Sequence, residues 1–291
     1  MKPRRYGPFA YSPIIDRPKR RWPNGARVAL WVIPNIEFFA LDEQVPAAAG
    51  GGGKAPDVPA WAARDYGNRV GVFRLMDVMS RYGVRGTVAL NSDLCAEHPR
   101  IIERCGDLGW ELMGHNESNT RRLNSVSPEE EGGVVRRTVD VISKASGQKV
   151  KGWLSSGLSQ TWNSLDHLID SGVEYVADWV NDDQPYTMTL EDGRTIMSIP
   201  YTLQLNDKPA FEQRNMSADE FTTMVCRQFD VLWEEGGERA TAMAIALHPY
   251  IIGVPHRIGA LDEALAYICR HEGVWLATGA EIADAGRQMG M

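Results

Sequence analysis

Five apolar runs in this chain are each followed at once by side chains that can accept protons, donate hydrogen bonds or bind metal. Asn35 and Glu37 follow Val28-Ala29-Leu30-Trp31-Val32-Ile33, and His115 and Asn119 follow Glu111-Leu112-Met113. Asp178, Trp179 and the Asp182-Asp183 pair follow Glu174-Tyr175-Val176, and His248-Pro249-Tyr250 follows the run 242–247. Between them, the polar loop 155–161 follows Lys151-Gly152-Trp153-Leu154. Carboxylate and imidazole side chains at neighbouring strand ends can do general acid–base work or hold a metal ion, and amide side chains can orient polar groups of a substrate. Each residue alone has a plainer explanation. A Glu after a strand is commonly solvated, a His before Pro can simply end a strand, and Asp182-Asp183 can be an exposed turn. Five such ends in succession are more than loop composition accounts for.

The elements that would position these residues are legible from periodicity. The run 28–33 is apolar at every position, as in a strand covered on both faces. An extended chain continuing from it points Asn35 and Glu37 to the same side. Val72, Leu75, Met76 and Met79 recur at helical spacing, and Pro99 opens a helix over 98–108. Ser127-Pro128 with Glu130 is a capping box, and Ser217 caps a helix over 217–235. Further helices are expected over 163–170 and 261–271, and strands over 87–90, 242–247 and 274–277. The runs 186–190 and 195–199 flank Asp192-Gly193, a strong hairpin signal. Strands alternating with helices specify an α/β fold, with a parallel sheet or a (β/α) barrel, whose catalytic residues gather at the C-terminal strand ends. No repeat or linker divides the 291 residues, so one domain is expected.

Composition narrows the partners. With 31 basic and 38 acidic residues the net charge is −7, which gives no electrostatic reason to expect nucleic acid or an acidic membrane surface. No apolar run approaches the roughly 20 residues of a membrane span. The basic start Met1-Lys2-Pro3-Arg4-Arg5 lacks the apolar stretch of a secretory signal. Cys95, Cys105, Cys226 and Cys269 show neither C-x-x-C nor zinc-ribbon spacing, which suits free thiols in a reducing compartment. A cytoplasmic protein is therefore expected. The segment from Ala47 to Lys54 imitates a phosphate loop, but Ala48 and Ala55 stand where that motif needs Gly and Ser or Thr. It is expected to be a flexible loop over the barrel mouth.

Several of these motifs together resemble the polysaccharide deacetylase superfamily (NodB-homology, carbohydrate esterase family 4-like). The carriers are the Trp22 to Val28 lead-in, Asn35-Ile36-Glu37, the Arg64 to Gly71 motif, Gly109-Trp110-Glu111 leading into His115, and Asp182-Asp183-Gln184-Pro185-Tyr186. The most specific is Leu247-His248-Pro249-Tyr250, continuing through Gly253 to Pro255-His256-Arg257-Ile258. The resemblance spans about residues 22–285. It is nearest the branch of cofactor-independent allantoinases, cyclic imidases and peptidoglycan-deacetylase-like proteins. It implies a distorted (β/α)7 barrel, here with a β-hairpin insertion, and hydrolysis of a carbon–nitrogen bond outside peptides. Metal-using members carry Asp-x-Asp or Asp-Asp after the first strand and His-x-x-x-His after the third. Here Asn35 replaces the base, Glu37 the metal-binding Asp, and Asn119 the second His. An amide is a poor zinc ligand beside imidazole or carboxylate. An Arg that the resemblance places after the fourth strand is missing from 153–161.

The expected catalytic residues are Glu37 for water, His115 for the carbonyl or that water, and His248 as acid to the leaving nitrogen. Asn35, Asn119, Trp153, Asp178, Trp179 and Tyr250 are expected to bind substrate, with Trp153 and Trp179 walling the pocket. Hydrolysis of a small amide, cyclic amide or ureide, or N-acetyl substrate is favoured, with no required cofactor. Two alternatives stay open. One is a metal-dependent sugar N-deacetylase whose zinc would sit on Glu37, His115 and Asn119; the other is a binding module that has lost the chemistry. His256-Arg257 could hold a carboxylate or make a structural ion pair. The branch resemblance suggests a homotetramer.

Overall fold

The computed structural model describes residues 2–45 and 54–291. The expected loop at 47–54 therefore lies, except for Lys54, outside the described residues. In chain order the elements are β1 (Val28–Ile36), α1 (Val58–Tyr66), α2 (Val72–Arg81), β2 (Thr87–Leu90), α3 (Leu94–Glu97), α4 (Pro99–Asp107), β3 (Glu111–Gly114) and α5 (Pro128–Ser146). They continue with β4 (Gly152–Trp153), α6 (Ser164–Asp170), β5 (Tyr175–Val176), β6 (Tyr186–Thr189), β7 (Thr195–Ser198), α7 (Ala218–Arg239), β8 (Thr241–Leu247), α8 (Ile258–Cys269), β9 (Val274–Leu276) and α9 (Gly279–Gln288).

The sheet runs β7-β5-β4-β3-β2-β1-β8 with every neighbouring pair parallel, and β6 joins antiparallel to β7 as the expected hairpin. The α/β fold is thus a sheet curled toward a barrel. On one side β1 pairs with β8 along most of its length; on the other, its start pairs with β9 and its end with β2. Such a strand has no edge facing water, which is why its sequence is apolar throughout. Between β7 and β8 the gap is spanned by irregular chain, through a bridge from Asn206 to Ala246 and the Ala246 N–H donated to the Leu205 carbonyl at 2.9 Å.

Side chains alternate between two cores. Ala29, Trp31 and Ile33 of β1 join Ala89, Met113, Leu154, Ile199 and Tyr201, while Val28, Leu30 and Val32 join the helix-facing cluster. The first set continues in register to Asn35 and then Glu37. Period-2 geometry thus delivers both to the strand-end face.

Capping boxes at Ser127/Glu130 and Ser217/Glu220 start α5 and α7, and a third, at Thr278/Glu281, starts α9. Three helices were not expected: the four-residue α3, α9, and α1, which continues through a π-helical turn (Gly67–Gly71) into α2. The turn is set by close packing: a Cβ on Gly71 would lie 2.0 Å from the Pro249 carbonyl oxygen, so only glycine lets this helix reach the loop after β8. Strands β4 and β5 are two residues each, shorter than their apolar runs. No described helix is long and apolar enough to cross a membrane.

Candidate active site

Glu37 sits at the end of β1, 8% exposed, with both candidate imidazoles turned toward it. His115 Nε2 is 3.7 Å and His248 Nε2 is 3.6 Å from the same Glu37 Oε1. The other nitrogen of each ring is anchored. His115 Nδ1 lies 2.6 Å from the Leu154 carbonyl, which can only accept, so Nδ1 carries the proton there. His248 Nδ1 lies 2.6 Å from Asp207 Oδ1, and the His248 backbone N–H donates to Asp207 Oδ2 at 2.7 Å. Both rings are thereby fixed in orientation with Nε2 directed at the carboxylate. The Glu37 backbone is held too: Asn68 of the π turn donates to its carbonyl at 3.0 Å.

Charge follows from this arrangement. Burial pushes the Glu37 carboxyl up, but His248 and then His115 outweigh it and hold the group at about 2. Burial pushes His248 down, yet the Asp207 and Glu37 carboxylates on its two nitrogens prevail and its pKa is raised. The site sets an ionised carboxylate beside an imidazole whose protonated form Asp207 and Glu37 favour, with the His115 ring opposite.

A cavity of about 500 Å³ opens on these groups, lined also by Asn35, Asn119, Ser155, Tyr201, Asn206 and Lys208. Asn35 donates to the Tyr201 hydroxyl at 3.1 Å, and Asn206 donates to the same hydroxyl at 3.3 Å. Asn119 Oδ1 accepts from Ser156 Oγ at 2.6 Å. Glu37, His115, His248, Asn35 and Asn119 therefore share one cavity.

Four other expected residues stand elsewhere. Trp153 is fully buried in the helix-facing core, pressed on Gly114, because strand alternation turns it away from the cavity and turns Leu154 toward it. It does not wall the pocket. Trp179 and Asp178 line a neighbouring cleft of about 770 Å³ that shares Leu158 with the first. Asp178 accepts from the Ser155 N–H at 2.7 Å and from Ser155 Oγ at 2.8 Å, so it shapes the cavity from behind. Tyr250 is also behind the site, edge-on to His248 at 5.7 Å between ring centroids, with its hydroxyl taking a hydrogen bond from Lys208. Arg257 of the His256-Arg257 pair stacks over Phe211 at 4.6 Å.

Sequence reasoning missed Asp207, Lys208 and Tyr201. The polar stretch Asn206-Asp207-Lys208 ahead of Pro209 was the available signal. It also missed how a guanidinium reaches the loop after β4. No Arg occurs in 153–161, but Arg122, from the loop after β3, lays its guanidinium against Gly157.

The zinc set that the resemblance implies would need Asn119 beside Glu37 and His115. Asn119 offers a neutral oxygen already taken by Ser156. Among the described residues no group of three His, Cys, Asp or Glu side chains is arranged to hold a metal ion. As a third donor beside Glu37 and His115, Asn119 is a poor ligand for a divalent ion.

Residues 54–176 match the family model described as polysaccharide deacetylase. A Schizosaccharomyces pombe protein assigned by name to the polysaccharide deacetylases is 29% identical over 308 residues, covering 95% of this chain and 94% of its own. A Pseudomonas aeruginosa PAO1 crystal structure carrying the same family name matches with a TM-score of 0.85 at 24% identity, covering 95% of this chain and 96% of that one. The crystal structure of PuuE allantoinase matches with a TM-score of 0.84 at 24% identity, covering 94% of each chain. These two structures share the fold.

Proposed function

We propose that this chain, whose residues 54–176 match the polysaccharide deacetylase model, is a hydrolase of a non-peptide carbon–nitrogen bond, acting on a small amide or cyclic ureide without a metal. The observation that carries this reading is the convergence of two anchored imidazoles on one buried carboxylate, His115 at 3.7 Å and His248 at 3.6 Å from Glu37 Oε1. The allantoinase name of one structural neighbour supports the cyclic ureide, and the cavity of about 500 Å³ is of a size for a small ligand.

The roles follow from the charge states. A carboxyl held near 2 stays ionised but is a weak base, so Glu37 orients the attacking water and stabilises positive charge on its neighbours. His115, whose Nδ1–H is held by the Leu154 carbonyl, presents Nε2 to take the water proton as oxygen bonds to the carbonyl carbon. His248, whose protonated form Asp207 and Glu37 favour, gives its Nε2 proton to the nitrogen as the carbon–nitrogen bond breaks. Lys208 lines the cavity and supplies a cation for the oxyanion. General acid–base groups of this kind each contribute about 10² to 10⁴ in rate.

The test is turnover of a panel of cyclic ureides, cyclic imides and N-acetyl sugars by the wild type, His115→Asn and His248→Asn. Hydrolysis of a cyclic or small linear amide by the wild type, with each variant at least about 10²-fold slower, is the expected result. Equal rates in wild type and variants reject the assignment. The catalytically silent binding module is the reading that a ligand bound tightly and recovered unchanged would favour.

A further inference from the structure

We infer that the substrate carries a carboxylate, read at the cavity mouth by Arg122 and Arg214; this deepens the hydrolase reading and rests on it. The chain has 38 acidic side chains to 31 basic, and several of its arginines are paired with carboxylates: Arg17 with Asp182 at 2.6 Å, Arg85 with Glu281 at 2.7 Å, Arg194 with Asp166 at 2.7 Å. The cavity holds two that are not. Arg122 and Arg214 both line it, and neither makes an ion pair with a described residue. Among the described residues Glu37 is its only lining carboxylate, and that charge is already shared by two imidazoles.

Both guanidinium groups are also placed. Arg122 lies on the backbone of Gly157, where a Cβ would come within 3.0 Å of its Cζ, so a glycine seats the planar group. Arg214 is tethered to the Gln204 carbonyl at 2.9 Å and the Leu203 carbonyl at 3.4 Å, neutral acceptors that leave its charge uncompensated. They come from different loops, after β3 and after β7, and meet at one cavity. A guanidinium fork matches a carboxylate geometrically and electrostatically. Lys208, by contrast, has Glu212 at 2.6 Å and is assigned no part in this recognition.

Matched pairs that differ by the carboxylate test the inference: hydantoin against hydantoin-5-acetate, and N-acetylglycinamide against N-acetylglycine. The wild type should favour the carboxylated member of a pair. Arg122→Gln should lower the ratio of kcat/KM values about tenfold, the effect of losing one charged hydrogen bond, and chiefly through KM. Arg214→Gln should lower it in the same direction, Arg122→Lys should restore part of it, and added salt should narrow it. A second readout needs no turnover: calorimetric titration of hydantoin-5-acetate and N-acetylglycine into Glu37→Gln, with and without Arg122→Gln. Arg122-dependent binding without any turnover by the wild type would sink the hydrolase reading and keep the carboxylate site. Turnover with no carboxylate preference, in rate or in titration, would overturn the carboxylate site and keep the hydrolase.

Discussion

Replacing Asp207 by Asn isolates the part of the site that the His248 assignment depends on. Asp207 is fully buried, and its two oxygens take both the Nδ1 proton and the backbone N–H of His248 at 2.6 and 2.7 Å. Asparagine keeps the shape and one acceptor. Its amide nitrogen then faces a donor where an oxygen stood, so a charged hydrogen bond worth about 1.5–3 kcal/mol is lost. At about 1.4 kcal/mol per pKa unit, this lowers the His248 pKa by roughly one to two units. If His248 must be protonated to release the leaving nitrogen, the alkaline limb of kcat/KM moves to lower pH by that amount. The stability effect has a definite sign. A His whose pKa is raised by folding contributes fully below its unfolded value of 6.5, and the contribution fades as pH rises through the folded value. The Tm deficit of Asp207→Asn should therefore be largest below about pH 6.5 and shrink in alkali. A pH–rate profile, with an NMR titration of the His248 ring, reads both effects. An alkaline limb that stays in place, or moves up, refutes the reasoning.

Three further outcomes are expected. Glu37→Gln should abolish turnover and leave the far-ultraviolet circular dichroism spectrum unchanged; a near-wild-type rate would remove Glu37 from the chemistry. The same variant should flatten the acid limb of stability. A carboxyl lowered from 4.5 to about 2 contributes above the first value and loses that contribution as pH falls through the second, so thermal melts between pH 2 and 5 should show the difference. Gly71→Ala should cost about 1–3 kcal/mol or more, because its Cβ would meet the Pro249 carbonyl oxygen at 2.0 Å, and should slow turnover by displacing His248; a normal rate and Tm would show that the loop moves freely.

The barrel was legible because its signals are local. The unbroken apolar run of β1, the Ser127 and Ser217 capping boxes and the Asp192-Gly193 hairpin each carry their meaning within a few residues. The two-residue strands β4 and β5 were overextended, since an apolar run marks burial but not where pairing stops. Strand ends brought Glu37, His115 and His248 to one cavity, while Trp153 failed on parity: a one-residue difference in an alternating strand exchanges core for cavity. Tyr201 and Arg122 lie on irregular chain after β7 and β3, and Asp207 opens a single short helical turn, so no periodicity says which way these side chains turn. Their relation to His248, Asn35 and Gly157 is purely tertiary.

We propose that Glu37, His115 and His248 hydrolyse a carbon–nitrogen bond unaided by metal. The most direct test is the rate of cyclic ureide hydrolysis by untagged protein after exhaustive chelation, before and after zinc is restored. The same rate is expected in both states, with His248→Asn slow in each. A rate that vanishes on chelation and returns with zinc would contradict it.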